Sequence, residues 1–364
     1  MIKKVIISGG GTGGHIYPAI AIANALKAID PTIQILFVGA LGKMEMEKVP
    51  KAGYEIIGLP IAGIKRELSV DNLSFPLKLT RSLLKARSII KSFKPDVAIG
   101  VGGFASGPLL MVASLLGIPT LIQEQNSYAG ITNKMLAKRA KAICVAYPNM
   151  DSFFPKNKLK MTGNPVRSDI LEVTHKRTQA YAHFGLQPNH KTLLVIGGSL
   201  GAKTINESIE AGLKLLINSG YQILWQTGKP YAEKAANAIN SLKTPYAKSF
   251  DFIYEMDLAY ALADVVVSRA GALSVSELCL VAKPAILVPF PYASEDHQTK
   301  NAMSLVEQNA ALLIKDKDAP EELVQTALRL LQDVEKQQTL SQNIKKLGKP
   351  NAAKEIAETV LGLI

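Results

Sequence analysis

At 364 residues the chain is long enough for two domains, each with its own buried core, and its 48% hydrophobic and 20% charged residues exclude disorder, collagen-like repeats and coiled coils. Lys and Arg number 42 against 30 Asp and Glu, a formal +12 that points to an anionic partner: a phosphate, a nucleic acid or an acidic lipid surface. With 6% aromatic residues and no interleaved basic and aromatic platform, nucleic acid is disfavoured, and two distant cysteines, Cys144 and Cys279, support neither a disulfide framework nor a thiolate metal site.

The first predicted element is a strand at 5–8, after an apolar run too short for the core of a secretory signal. Gly9-x-Gly11-x-x-Gly14 follows it and opens a helical run at 16–28, the setting of a dinucleotide fingerprint, in which glycines admit a phosphate and the helix start presents N–H groups to it. A dinucleotide reading also needs an acid at the end of the second strand to hold a ribose. The strand predicted at 33–38 runs into Gly39-Ala40, with Asp30 before it and Glu45 beyond, which counts against NAD and leaves the loop to another diphosphate. His15, beside this loop, is the histidine placed to act as a base or to donate to a phosphate.

Between 64 and 94 lie Lys65, Arg66, Lys78, Arg81, Lys85, Arg87, Lys91 and Lys94 against Glu67 and Asp71, half of the chain's net charge. Leu73, Phe75, Leu77, Leu79, Leu83 and Leu84 interleave with them, a pattern open to an amphipathic helix packed on its own sheet or to a surface that docks anionic lipid. The uncharged stretch 97–123 is long enough to span a membrane, yet Gly100, Gly102, Gly103, Gly107, Pro108, Gly117 and Pro119 divide it into strand, glycine loop, short helix and strand. Buried parallel strands are apolar throughout, so this reading needs no membrane. Glu124-Gln125-Asn126 then sets an acid and two amides at a strand end, and another strand is predicted at 142–146.

A turn-forming cluster at 162–167 marks the expected boundary, giving domains 1–165 and 166–345. The pattern restarts beyond it: the apolar run 193–196 followed by Gly197-Gly198-Ser199 echoes the first strand and loop, with strands predicted at 222–226, 265–268 and 285–289. The loops after Val101, Ile196 and Ser268 join the first as four glycine-bearing strand ends, able to clamp one ligand. Glu277, in the helix opened by Ala270-Gly271-Ala272, is either a dipole-favoured surface acid or a carboxylate for the two hydroxyls of a ribose. Asp316-Lys317-Asp318 reads as a helix cap rather than a metal motif, so no metal and no cofactor are expected. The helical tail within 346–364 is open to packing on either domain.

Taken together, 10–19, 102–108, Glu124-Gln125-Asn126, 163–167, 268–272 and 297–302 resemble the MurG family of peptidoglycan N-acetylglucosaminyltransferases, nearly end to end. The resemblance implies an α/β GT-B fold, two Rossmann-like domains facing across a cleft. It implies inverting, metal-independent transfer from UDP-N-acetylglucosamine to the 4-hydroxyl of lipid I, an undecaprenyl-diphospho-MurNAc-pentapeptide, giving lipid II at the cytoplasmic face of the inner membrane as a peripheral protein. Anionic lipids and other cell-wall synthesis proteins fit as partners. By position, Thr12, Gly13, Gly14, Asn126, Arg167, Ser199, Ile253, Ala272, Leu273, Ser274, Val275, Ser276, Glu277 and Gln298 match substrate-binding places. Glu277 would hold the ribose, the Ile253 backbone would meet uracil, Ser199 and the helix after Gly271 would face the diphosphate, and His15, with Glu124 as rival, would be the base. Two departures stand out: Gln123 where many relatives have His, and Ser199-Leu200-Gly201-Ala202-Lys203 in place of Ser-Gln-Gly-Ala-Arg.

Overall fold

In the computed structural model, residues 2–61 and 75–364 are described, and they form two compact units, Met1–Arg167 with Asn351–Ile364 and Ser168–Pro350. Unit 1 is built on a parallel sheet of β1 (Lys4–Ser8), β2 (Gln34–Ala40), β3 (Glu55–Leu59), β4 (Val97–Gly100), β5 (Thr120–Glu124), β6 (Ala142–Val145) and β7 (Leu159–Met161), in the order β3-β2-β1-β4-β5-β6-β7. Its helices include α1 (Gly13–Ile29), α2 (Glu45–Lys51), α3 (Phe75–Phe93), α4 (Ser106–Leu115) and α5 (Ile131–Leu136). Successive strand side chains point to opposite faces, so Val5 and Ile7 join one core and Ile6 the other. The Ile6 face is closed by Ile89 and Ile90 of α3, Leu109 and Leu110 of α4 and Leu136 of α5.

In unit 2 a second parallel sheet is formed by β8 (Thr192–Ile196), β9 (Gln222–Gln226), β10 (Ala247–Phe250), β11 (Val265–Ser268), β12 (Ala285–Leu287) and β13 (Leu312–Leu313), in the order β10-β9-β8-β11-β12-β13. With it come α6 (Arg177–Phe184), α7 (Lys203–Asn218), α8 (Ala232–Ser241), α9 (Met256–Leu262), α10 (Ala272–Val281), α11 (His297–Val306), α12 (Ala319–Gln332) and α13 (Val334–Lys346). Leu193, Val195, Ile223, Trp225 and Val267 meet Ile205 and Ile209 of α7 and Leu323 and Leu331 of α12 in one core. The tail helix, α14 (Ala352–Leu361), returns to unit 1, where Ile356, Ala357 and Val360 pack with Ile16, Ile22 and Leu26 of α1.

The stretch 97–123 resolves into β4, α4 and β5, and among the described residues no helix is long and apolar enough to cross a membrane. Both cysteines are buried, and burial pushes each thiol up to about 12, so they are unreactive packing residues. One expectation changes: Asp318 stands at the N-cap position of α12 but its side chain makes no cap hydrogen bond, while Asp316 accepts from Thr204 at 2.9 Å and pairs with Arg269. The loop thus closes through Asp316 rather than through a cap.

Candidate active site

Each sheet reverses its direction of growth once, between β1 and β4 in unit 1 and between β8 and β11 in unit 2. Open parallel sheets bind ligands at the carboxyl ends of the strands that flank such a reversal, because the flanking helices depart to opposite faces and leave a crevice. The four glycine-bearing loops follow those four strands. The helices that begin beyond them, α1, α4, α7 and α10, start without a side-chain hydrogen bond from the N-cap residue, and a helix start carries a partial positive charge that favours anions.

In unit 1 the acid that lay beyond β2 explains the first loop. Glu45 is fully buried; its carboxylate accepts from the Gly11 N–H at 2.8 Å and the Ala40 N–H at 2.9 Å. A Cβ on Gly10 would lie 2.2 Å from the Glu45 Oε1, so this glycine makes room for an internal carboxylate rather than for a nucleotide phosphate. Ser106, at the start of α4, donates to both Ser8 O and Gly102 O at 2.8 Å and so ties the two loops together. Sequence patterning gave no signal for either role.

His15 projects from the first turn of α1, half-buried against Gly102, whose φ of +92° and lack of a Cβ let the ring approach the backbone. Its Nδ1 lies 2.9 Å from the Gln125 Oε1. Burial lowers its pKa from the ordinary value, against the opposing pull of Glu124, the Gln125 and Val101 bonds and Glu45, so the ring is neutral near pH 7. Glu124 is differently engaged: its carboxylate accepts from the N–H groups of Asn126 (3.1 Å) and Gly130 (2.9 Å) and from Asn133 Nδ2 (2.9 Å), closing the loop after β5.

In unit 2, Glu277 lies in α10 and accepts from the Tyr260 hydroxyl at 2.9 Å. Gln226, which the motif reading missed, links two expected contacts: it donates to Gly198 O at 3.1 Å and accepts from the Ile253 N–H at 2.9 Å. The Ile253 N–H is therefore already committed to Gln226. Gln298 accepts from the Phe290 N–H at 2.9 Å, and Arg269 bonds Val288 O and Pro289 O at 3.1 Å, so the segment after β12 is held from both sides. Ser199 is exposed, as are Thr12 and Gly14, whereas Ala272 and Val275 are buried and Gly13, Asn126, Arg167, Leu273, Ser274 and Ser276 are intermediate.

The Glycosyltransferase family 28 N-terminal domain matches residues 5–145, and the C-terminal domain of that family matches residues 192–356. A protein of Cytophaga hutchinsonii is 58% identical over 361 residues, spanning 99% of this chain and 97% of its own length. One of Parabacteroides distasonis is 53% identical, spanning 99% and 98%. Both are named UDP-N-acetylglucosamine–N-acetylmuramyl-(pentapeptide) pyrophosphoryl-undecaprenol N-acetylglucosamine transferase. The solved structure of Acinetobacter baumannii MurG, 28% identical, matches with a TM-score of 0.78 over 100% of both chains. The chain belongs to the MurG family.

Its two Rossmann-like units are those of the GT-B fold of that family. Against the MurG pattern, Gln123 occupies the place of a histidine without exposing it: fully buried, it donates to Asn164 Oδ1 at 3.0 Å. Lys203, in place of arginine, is exposed and lies 3.8 Å from Glu207 one turn along α7. The basic, apolar segment divides. Phe75, Leu79 and Leu83 of α3 pack on the core, whereas Leu77 and Leu84 are exposed beside Arg81, Lys85, Arg87 and Lys91; Lys65, Arg66, Glu67, Asp71 and Leu73 lie outside the described residues.

Proposed function

We propose that the chain transfers N-acetylglucosamine from UDP-N-acetylglucosamine to the 4-hydroxyl of the muramoyl residue of lipid I, forming lipid II with inversion and without a metal. The observation that carries this reading is end-to-end identity above 50% with proteins bearing that transferase name. Unit 2 takes the donor: Glu277 accepts the ribose hydroxyls, the Ile253 carbonyl takes the uracil N3–H, and Ser199 with the α10 start, Ala272 to Ser276, receives the diphosphate. Gln298 adds a sugar contact in unit 2, and Asn126 and Arg167 are substrate-binding residues of unit 1. Support for the Glu277 role comes from its place in the second turn of α10 and from the Tyr260 hydroxyl that orients it.

Unit 1 supplies the base and meets the acceptor, with Thr12, Gly13 and Gly14 presenting first-turn N–H groups to the lipid diphosphate. The acceptor hydroxyl oxygen bonds to the anomeric carbon while that carbon's bond to the diphosphate oxygen breaks. The hydroxyl proton passes to His15, and UDP leaves carrying the bond electrons. His15 suits this better than Glu124, whose oxygens already accept from two N–H groups and an amide. The chain acts as a peripheral protein at the cytoplasmic face of the inner membrane, docking anionic lipid through α3.

The test is incubation with UDP-N-acetylglucosamine, a lipid I analogue and EDTA, scored by UDP release and a disaccharide product. Glu277→Ala raises the donor KM by about tenfold or more, the worth of a charged hydrogen bond, with a smaller change in kcat. His15→Ala lowers kcat by roughly 10²–10⁴. Tight UDP binding without turnover in the presence of acceptor would instead make the protein a nucleotide-binding module.

A further inference from the structure

We propose that Gln125 is a positioning residue that fixes His15 in the tautomer with its proton on Nδ1, leaving Nε2 as the basic nitrogen. This inference rests on the reading of His15 as base and specifies which of its two nitrogens does the work. Gln125 follows β5 and is 2% exposed, so its amide cannot exchange partners with water. Its Nε2 donates to the main-chain carbonyls of Val101 (2.9 Å) and Gln123 (3.2 Å). A main-chain carbonyl only accepts, so turning the amide over would set oxygen against oxygen at both contacts. The Oε1 must therefore face the Nδ1 of His15 at 2.9 Å, and an acceptor at that distance requires a proton on Nδ1.

The constraint extends outward. Gln123 Nε2 donates to Asn164 Oδ1 at 3.0 Å and to Glu124 O at 3.3 Å, and Asn164 Nδ2 donates to Gln125 O at 2.9 Å. Each of the three buried amides thus has its NH₂ directed by a main-chain carbonyl, and the direction of the whole set follows from the backbone. The charged groups that face His15 are Glu124 from the end of β5 and Glu45 from the start of α2; both favour the imidazolium, and burial outweighs them. The ring is thus neutral, with one proton to place. An unconstrained imidazole side chain prefers that proton on Nε2, so the arrangement imposed here is opposite to the default and open to direct observation.

Uniform ¹⁵N labelling of the histidines in the full chain, at about pH 8 with His15→Gln to assign the signal, reads the tautomer by NMR without any need for turnover. The expected spectrum has a pyrrole-type Nδ1 and a pyridine-type Nε2 for His15. In Gln125→Leu the Nε2–H form becomes the major one, and kcat falls about tenfold to a hundredfold while the donor KM and UDP affinity stay within about twofold. An Nε2–H ring in the unaltered protein overturns the proposal whether or not the variant folds, as does a tautomer unchanged in Gln125→Leu. Should His15 carry its proton on Nδ1 while His15→Gln transfers at the full rate, the tautomer stands and the base role falls.

Discussion

At Glu45 a carboxylate fully out of water accepts two main-chain N–H groups, so Glu45→Ala strands the Gly11 and Ala40 donors and leaves a void beneath the loop. A loss of about 2–4 kcal/mol in urea unfolding is expected. Gly10→Ala alone drives a methyl into that carboxylate and loses about 1–3 kcal/mol by overpacking. With the carboxylate gone the methyl has space, so the double variant loses less than the sum of the two; strict additivity would refute the contact. His15 allows a pH test. Its folded pKa lies below the ordinary 6.5, so as pH falls through that value the unfolded chain takes up a proton that the folded chain refuses. Stability present above about pH 6.5 is lost below it, and His15→Gln flattens that part of the curve; parallel melting curves between about pH 5 and pH 7 would count against the neutral, half-buried ring. Glu45 was visible in the sequence only as an acid in the wrong place for a ribose. Its partners lie 34 and five residues away, and no periodicity encodes a side chain folding back onto a loop.

At the scale of elements, the strands legible in the sequence are the central ones. The four that the apolar pattern did not single out, β3, β7, β10 and β13, are the four sheet edges. An edge strand has one neighbour and a wet flank, so it can be short and carry residues such as Lys160 in β7 or Lys248 and Ser249 in β10 without burying a charge. Central parallel strands are covered on both faces and must be apolar, which is what made β1, β4, β8 and β11, and hence the reversal in each sheet, readable. The tail helix was readable as a helix but its berth was not, because an apolar stripe does not say what it covers. In the structure α14 brings Ile356 and Val360 against α1, each contributing about 1.5–3 kcal/mol. Ending the chain at Pro350 therefore removes roughly 3–6 kcal/mol from unit 1, a large part of a domain's margin of about 5–15 kcal/mol. Hydrogen exchange should then speed up at the amides of β1 and β2 while those of β8 and β9 stay protected. Equal protection in both sheets would place the support of α1 elsewhere.

For the whole molecule, charge is divided more sharply than composition alone suggests. Unit 1 holds 23 Lys and Arg against 11 Asp and Glu, and unit 2 holds 19 against 19, so the entire formal +12 belongs to the unit that bears α3. A neutral unit 2 and a cationic unit 1 fit the proposal that unit 1 meets a lipid-anchored acceptor in an anionic membrane. On α3, Leu77, one turn before Arg81, and Leu84, just before Lys85, are 55% and 63% exposed, offering both apolar insertion and charge. Each basic residue near an anionic surface contributes about 1 kcal/mol, and screening within about 10 Å at 0.1 M salt weakens this. Binding to vesicles containing anionic lipid should accordingly fall steeply with added salt and be weak on zwitterionic vesicles at any salt. Reversal of Arg81, Lys85 and Lys91 to Glu removes at least about 3 kcal/mol of attraction, roughly a hundredfold in partitioning, in a flotation assay. UDP affinity should be unaffected, since these residues lie in unit 1 and the proposed nucleotide contacts of Glu277 and Ile253 lie in unit 2. If the reversed variant floats with anionic vesicles as well as the parent does, α3 is a solvated helix and the lipid is met by another surface of unit 1.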